Sequence, residues 1–204
     1  MYYISKQENF VVRIVLKASE ISKIVFKKKP PISNTKQASL DLMSLGTFVE
    51  RYLVSQVGSI LGLNIQFVKN KENITKKILE IGDIDVYLRG RADGRVYATY
   101  MANDKLIRYD YIVEVKHLIT HTLNNREVII DYYKPQIVSY HILYELPVLF
   151  YALLQDGFMF EVCNYDEIEV KDFKQAIQNH LSSRLFLQRQ PHNCKVVNHK
   201  KSYQ

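Results

Sequence analysis

The chain has 204 residues and no tryptophan, only two cysteines, seven glycines and five prolines. Each scarcity excludes something. Cys163 and Cys194 match no zinc or iron–sulfur spacing, so both are expected as free thiols, a disulfide being the lesser alternative if the folded ends meet. So little glycine and proline rules out a collagen-like or linker-dominated chain. No window approaches the roughly 18 consecutive apolar residues of a membrane span. The start, Met1 to Glu8, lacks a charged segment followed by an apolar one, so an intracellular, cytoplasmic protein is expected. No Gly-x-x-x-x-Gly-Lys-Ser/Thr loop occurs, which excludes a nucleotide-driven motor of that type.

Acidic residues are absent from Phe173 to Gln204, a segment carrying Lys174, Arg184, Arg189, Lys195, Lys200 and Lys201. It therefore holds +6 of the net charge of +7. Such a tail attracts phosphate backbones, although a merely solvated tail has the same composition. Hydrophobic residues make up 47% and charged residues 24%, which suits a chain that buries a core. One domain is expected over 1–204. Within it, 1–35 is an N-terminal extension, 36–165 a catalytic core and 166–204 a C-terminal helix with a basic tail.

Hydrophobic periodicity places the elements. Phe10 to Phe26 fits a strand or a helix and is ended by Lys27-Lys28-Lys29-Pro30-Pro31. Leu42, Leu45, Val49, Leu53 and Val57 recur at helical spacing, predicting a helix over 39–61. Ile65 and Phe67 suggest a short strand. From Ile78 the period becomes two: Ile84, Val86 and Leu88 alternate with Asp83, Asp85 and Tyr87. Tyr109 to Val115 is strongly β-prone, after a turn over Met101 to Lys105. Asp131 to Leu146 reads as a helix and Val148 to Leu154 as a buried strand. Gln155-Asp156-Gly157 turns into Phe158 to Val162, and Val170 to Gln190 reads as a last helix. The order implies an α/β fold with a mixed sheet flanked by helices.

Two motifs carry chemistry: Gly90-Arg91-Ala92-Asp93, and Glu114-Val115-Lys116 at the end of an apolar run. Hydrolysis of a phosphodiester needs a hard cation on the phosphate, a deprotonated water and a stabilised leaving group. Mg²⁺ takes oxygen ligands and keeps several waters, so two or three carboxylates suffice. Asp93 and Glu114 supply two, and the Val115 carbonyl offers a further oxygen. Glu114 and Lys116, two apart on a strand, share a face, so the lysine can reach the attacking water or the phosphate as a point charge. Alone, Glu-x-Lys on a strand is more often an exposed ion pair. Asp83 and Asp85 suit solvated strand positions. His117 and His121 are four apart but lack the glutamate of a His-Glu-x-x-His zinc site, and His192, Cys194 and His199 lack a fourth ligand.

The set Gly90-Arg91-Ala92-Asp93 with Ile112-Val113-Glu114-Val115-Lys116 resembles the core of the PD-(D/E)xK nucleases. Two further pieces resemble their RecB-like branch: Gly46-Thr47-Phe48-Val49-Glu50, and Gln136-Ile137-Val138-Ser139-Tyr140. The resemblance covers roughly Ser39 to Val162. It implies a restriction-endonuclease-like αβββαβ core and a DNA nuclease acting on single-stranded DNA or DNA ends in replication, recombination or repair. It implies Mg²⁺ or Mn²⁺ held by Glu50, Asp93, Glu114 and the Val115 carbonyl, and no nucleotide cofactor. Lys116 would act on the water, and Gln136 and Tyr140, four apart on one helical face, would orient the site. Arg91 and Lys134 are candidate DNA contacts. CRISPR-associated RecB-like nucleases carry four cysteines for an iron–sulfur cluster; two cannot hold one, so the likeness is to cluster-free forms. Small stand-alone relatives of this kind occur in viruses of thermophilic archaea, which would place the protein in a host cytoplasm. The pattern also allows a homodimer, a Holliday-junction resolvase (against which Gln136 and Tyr140 argue), or a non-catalytic nucleic-acid binder.

Overall fold

The computed structural model describes residues 12–29, 64–118 and 121–189. The predicted helix over 39–61, with Glu50, lies outside the described residues, as do Cys194 and the end of the basic tail. The ambiguous first segment resolves into strand β1 (Val12–Lys17), a 3-10 turn (Ala18–Glu20) and a short helix α1 (Ile21–Ile24). Strands β2 (Asn64–Lys69), β3 (Ile74–Ile81), β4 (Ile84–Gly90), β5 (Gly94–Ala102) and β6 (Lys105–Leu118) follow. Helix α2 (Arg126–Tyr144), strands β7 (Val148–Leu154) and β8 (Gly157–Cys163) and helix α3 (Glu167–Arg189) complete the order.

The architecture is α/β, with a central mixed sheet flanked by helices, as the sequence implies. That sheet has the order β2-β5-β6-β7-β8, and a smaller sheet has the order β1-β4-β3. In the central sheet β6 and β7 run parallel, with α2 as the crossover, while β5–β6 and β7–β8 are antiparallel. Within the central sheet, β2, β5 and β6 followed by α2 and β7 supply the βββαβ part of the expected order; β8 is additional, and β3 and β4 pair in the smaller sheet. The alternating run from Ile78 to Leu88 is two strands, because Gly82, at φ 57°, turns the chain there. Asn103 and Asp104 turn β5 into β6 with both residues in the left-handed region, which a two-residue hairpin loop with matching twist requires.

Helix α2 holds the site together, and its sequence explains how it can be buried. Its inward residues Ile129, Ile137, Val138, Ile142 and Leu143 pack with Ile112, Val148 and Phe150 of the sheet and with Val86 and Leu88 of β4. Each such fully buried aliphatic side chain contributes about 1.5–3 kcal/mol. Pro135 sits inside the helix and has no N–H, so the Asp131 carbonyl loses its helical partner. The Lys28 ammonium donates to that carbonyl at 2.6 Å. Ser139, fully buried, donates to the Pro135 carbonyl at 2.7 Å. Glu145 ends the helix in the left-handed region, and Pro147 follows it.

Gly90 leaves no room for a side chain between β4, the 3-10 turn and α2. A Cβ there would lie 2.8 Å from the Ala18 Cβ, 3.0 Å from the Tyr140 ring and 3.1 Å from a Leu143 methyl. The glycine of the Gly90-Arg91-Ala92-Asp93 motif thus answers a close approach. Among the described residues no helix is long and apolar enough to cross a membrane. Cys163 is a buried free thiol.

Candidate active site

The β5–β6 register pairs Gly94 with Val113, so Asp93 and Glu114 come to neighbouring strand positions. Asp93 Oδ2 accepts from the Val115 backbone N–H at 2.7 Å, which ties the loop before β5 to β6. Glu114 and Lys116 share a face, as period two demands, and form an ion pair through Glu114 Oε1.

Gln136 and Tyr140 meet this pair from α2. The Gln136 amide donates to Glu114 Oε1 at 2.6 Å and to the Tyr140 hydroxyl at 3.1 Å. The Tyr140 hydroxyl in turn donates to the Arg91 carbonyl at 3.3 Å. One chain of hydrogen bonds therefore runs from the Gly90–Asp93 loop through α2 to Glu114. Both protons of one amide are used, so the amide's orientation is set by its partners.

The electrostatics follow from burial. Glu114 is 3% exposed and Lys116 22%. Burial pushes the Glu114 carboxyl up to about 7; the Lys116 ammonium opposes this and the Asp93 charge adds to it. For Lys116 burial favours the neutral amine, but the Glu114 charge outweighs it and the ammonium is held above its ordinary value. Burial likewise raises the Tyr140 phenol, so it stays a neutral donor. Glu114 Oε2 is buried and has no hydrogen-bond partner. An unsatisfied buried carboxylate oxygen is costly, and such an oxygen takes a proton, a water or a cation.

The donor set fits a hard divalent cation in kind: Glu114 Oε2 and the Asp93 carboxylate are oxygens set close together. Among the described residues no group of three or more His, Cys, Asp or Glu could hold a metal. The third carboxylate named from the sequence, Glu50, lies outside the described residues.

Arg91 is exposed beside the loop. Lys134 pairs with Glu169 of α3 at 3.2 Å and lies over the Tyr165 ring, not with the Glu114 cluster. Three residues that the sequence did not single out support the site. Tyr133 places its ring 5.3 Å from the Lys116 ammonium. The Tyr144 hydroxyl accepts from the Ala92 N–H at 3.3 Å and from Asn70 Nδ2 at 3.3 Å, and Asn70 Nδ2 also reaches the Ala92 carbonyl at 3.2 Å. Tyr144 was findable, since it continues the four-residue step of Gln136 and Tyr140 along one helical face.

Two expected outcomes follow. Because the folded pKa of Glu114 lies above its ordinary 4.5, the folded state binds the extra proton between about pH 4.5 and 7. Stability of the metal-free protein should therefore fall as pH rises through that window, by a contribution on the order of 2–3 kcal/mol. Urea melts at pH 5 and pH 8 should show the loss in the wild type and a smaller one in Glu114→Gln. Tyr144→Phe removes the acceptor for two donors at the loop and should slow turnover about 10-fold while changing Tm by only a few degrees. Steady-state kinetics beside a thermal melt would separate the two effects.

No protein-family model matches the chain, and no curated protein matches it. Some solved structures are similar to it at low identity. One is SSO0001, at 16% identity over 92% of this chain and 80% of that one, with a TM-score of 0.43. Another is LHK-Exo in complex with dAMP, at 13% identity over 84% of this chain and 88% of that one, with a TM-score of 0.47. The reading of the site rests on its own geometry.

Proposed function

We infer that this chain is a divalent-metal-dependent deoxyribonuclease that hydrolyses phosphodiester bonds, with single-stranded DNA or DNA ends as substrate. The observation that carries this is Glu114: a buried carboxylate with one oxygen held by Lys116 and Gln136 and the other unpartnered, next to Asp93. A structural ion pair needs no orphaned oxygen, and burying one without a ligand costs on the order of 1–3 kcal/mol.

In this proposal Glu50, Asp93, Glu114 and the Val115 carbonyl hold Mg²⁺ or Mn²⁺. The ion, when bound, supplies a Lewis acid for the phosphate oxygens. Lys116 presents its ammonium to the scissile phosphate and its attacking water, and Tyr133 keeps that ammonium from swinging away. Gln136 fixes the rotamer of Glu114, leaving Oε2 free for the ion. Tyr140 links this carboxylate to the Arg91 carbonyl, so loop and strand stay in register. Arg91 is a DNA contact at the mouth of the site, and Lys134 a more distant one.

The test is one gel series. End-labelled single-stranded, duplex, flap and junction DNA is incubated with Mg²⁺, Mn²⁺ or EDTA. Shortening of the strand only with the metals is expected; intact DNA in every lane would refute the proposal, and symmetric cutting of the junction alone would reassign it to a resolvase.

A further inference from the structure

The β5–β6 hairpin carries a second cluster on the face that holds Glu114 and Lys116. On β6, Arg108, Asp110, Ile112, Glu114 and Lys116 are two residues apart and share that face. The register places Tyr97 opposite Asp110 and Arg95 opposite Ile112, so Tyr97 and Arg95 belong to it as well. The Arg108 guanidinium lies 4.1 Å from the centre of the Tyr97 ring, and that of Arg95 lies 5.1 Å from it. Asp110 accepts from Arg95 at 2.8 Å and from Arg108 at 2.9 Å. The Arg108 side chain is 56% exposed, Arg95 37% and Asp110 24%.

We propose that this Arg95–Tyr97–Arg108 stack is a platform for a single-stranded stretch of nucleic acid leading to Glu114 and Lys116; the direction of travel rests on the nuclease reading, the binding does not. Guanidinium and phenol planes take an unpaired base by stacking, whatever its identity. Asp110 restrains both arginines, so less side-chain freedom is lost when a base lands on them. Asp110 also cancels one of the two positive charges. A surface built only to hold phosphates would gain from leaving both, as phosphate affinity grows with each cation. Duplex DNA keeps its bases stacked on one another and cannot use these planes. From Arg108 to Glu114 is about 20 Å along the strand, at about 3.4 Å per residue, so a bound strand would span platform and site together.

The test is fluorescence anisotropy in EDTA, with labelled oligothymidylate and a labelled duplex as probes. Tyr97→Ala and Arg108→Ala should each weaken oligothymidylate binding about 5- to 100-fold and duplex binding less than about 3-fold. Tyr97→Phe, which keeps the ring, should bind like wild type. Unchanged single-strand affinity, or equal losses on both probes, would overturn the proposal. If Tyr97→Ala loses its circular dichroism spectrum, the exposed Arg108→Ala decides. No cleavage occurs in EDTA and no metal-site residue is altered, so an inactive wild type would defeat the nuclease reading without touching this result.

Discussion

Lys116→Ala should lower the cleavage rate by about 10³-fold, in the range that loss of a preorganised charge at a reacting group costs. The argument is electrostatic. The Lys116 ammonium is partly buried against Glu114 and lies over the Tyr133 ring, where it is poorly screened and already oriented. Water replacing it would restore neither charge nor position. The same variant has a second signature. Glu114 is held up to about 7 by burial despite the opposing lysine, and removing the lysine leaves that burial unopposed. Its carboxyl should then titrate higher still. The fold would survive by keeping Glu114 protonated, so Lys116→Ala should melt near wild type at pH 5 and clearly lower at pH 8. Lys116→Arg keeps the charge but not the compact ammonium, and should recover the pH 8 stability more fully than the rate. Single-turnover cleavage and paired urea melts read the two effects separately. A Lys116→Ala enzyme within about 3-fold of wild type would remove the lysine from the chemistry.

The second large effect is expected from a residue with no side chain. Gly90→Ala puts a methyl 2.8 Å from the Ala18 Cβ, 3.0 Å from the Tyr140 ring and 3.1 Å from the Leu143 methyl. The aromatic ring belongs to the hydrogen-bond chain that sets Glu114, and Ala18 is itself fully buried. The Ala18 methyl cannot rotate away, so the 3-10 turn must shift, and α2, which supplies the Tyr140 and Leu143 contacts, must shift as well. Overpacking of this kind costs about 1–3 kcal/mol. Because the moved helix carries Gln136, activity should fall more than stability implies: we expect at least about 10-fold slower turnover in protein that remains folded. Thermal melts beside kinetics at a temperature well below Tm would check this. The comparison substitution is Gly82→Ala, where a Cβ meets nothing but φ is 57°. It should strain the turn and leave turnover of the folded protein unchanged.

These residues also divide what sequence could reveal from what it could not. Strand parity and helical periodicity are local, so the shared face of Glu114 and Lys116 and that of Gln136 and Tyr140 were legible. So was the neighbourhood of Asp93 and Glu114, because a short connection between β-prone runs forces pairing. The split of the Ile78–Leu88 run into a hairpin was missed: the paired Ile81 and Ile84 are three apart, so the alternation slips by one at Gly82, but the irregularity between Lys77 and Leu79 keeps Ile78 in phase with Ile84 and hides the slip. Tyr133 and Asn70 were missed for another reason. Their parts come from contacts across elements distant in the chain, such as Asn70 to Ala92 and Tyr144. The Arg95–Tyr97–Arg108 stack is likewise visible only when two strands are laid side by side. Lys134 was named for being near Gln136 in sequence, yet two positions along a helix point to different sides, and its partner is Glu169.

The central claim is that Asp93 and Glu114 form one metal-dependent cutting site. Its most direct measurement is the single-turnover rate of cleavage of end-labelled DNA in Mn²⁺, wild type against Asp93→Asn, with EDTA as control. The account predicts cleavage by wild type in Mn²⁺, none in EDTA, and a rate at least about 10³-fold lower for the variant, while both proteins melt alike. An Asp93→Asn protein that cuts at the wild-type rate, or a wild type that cuts equally well in EDTA, would contradict it.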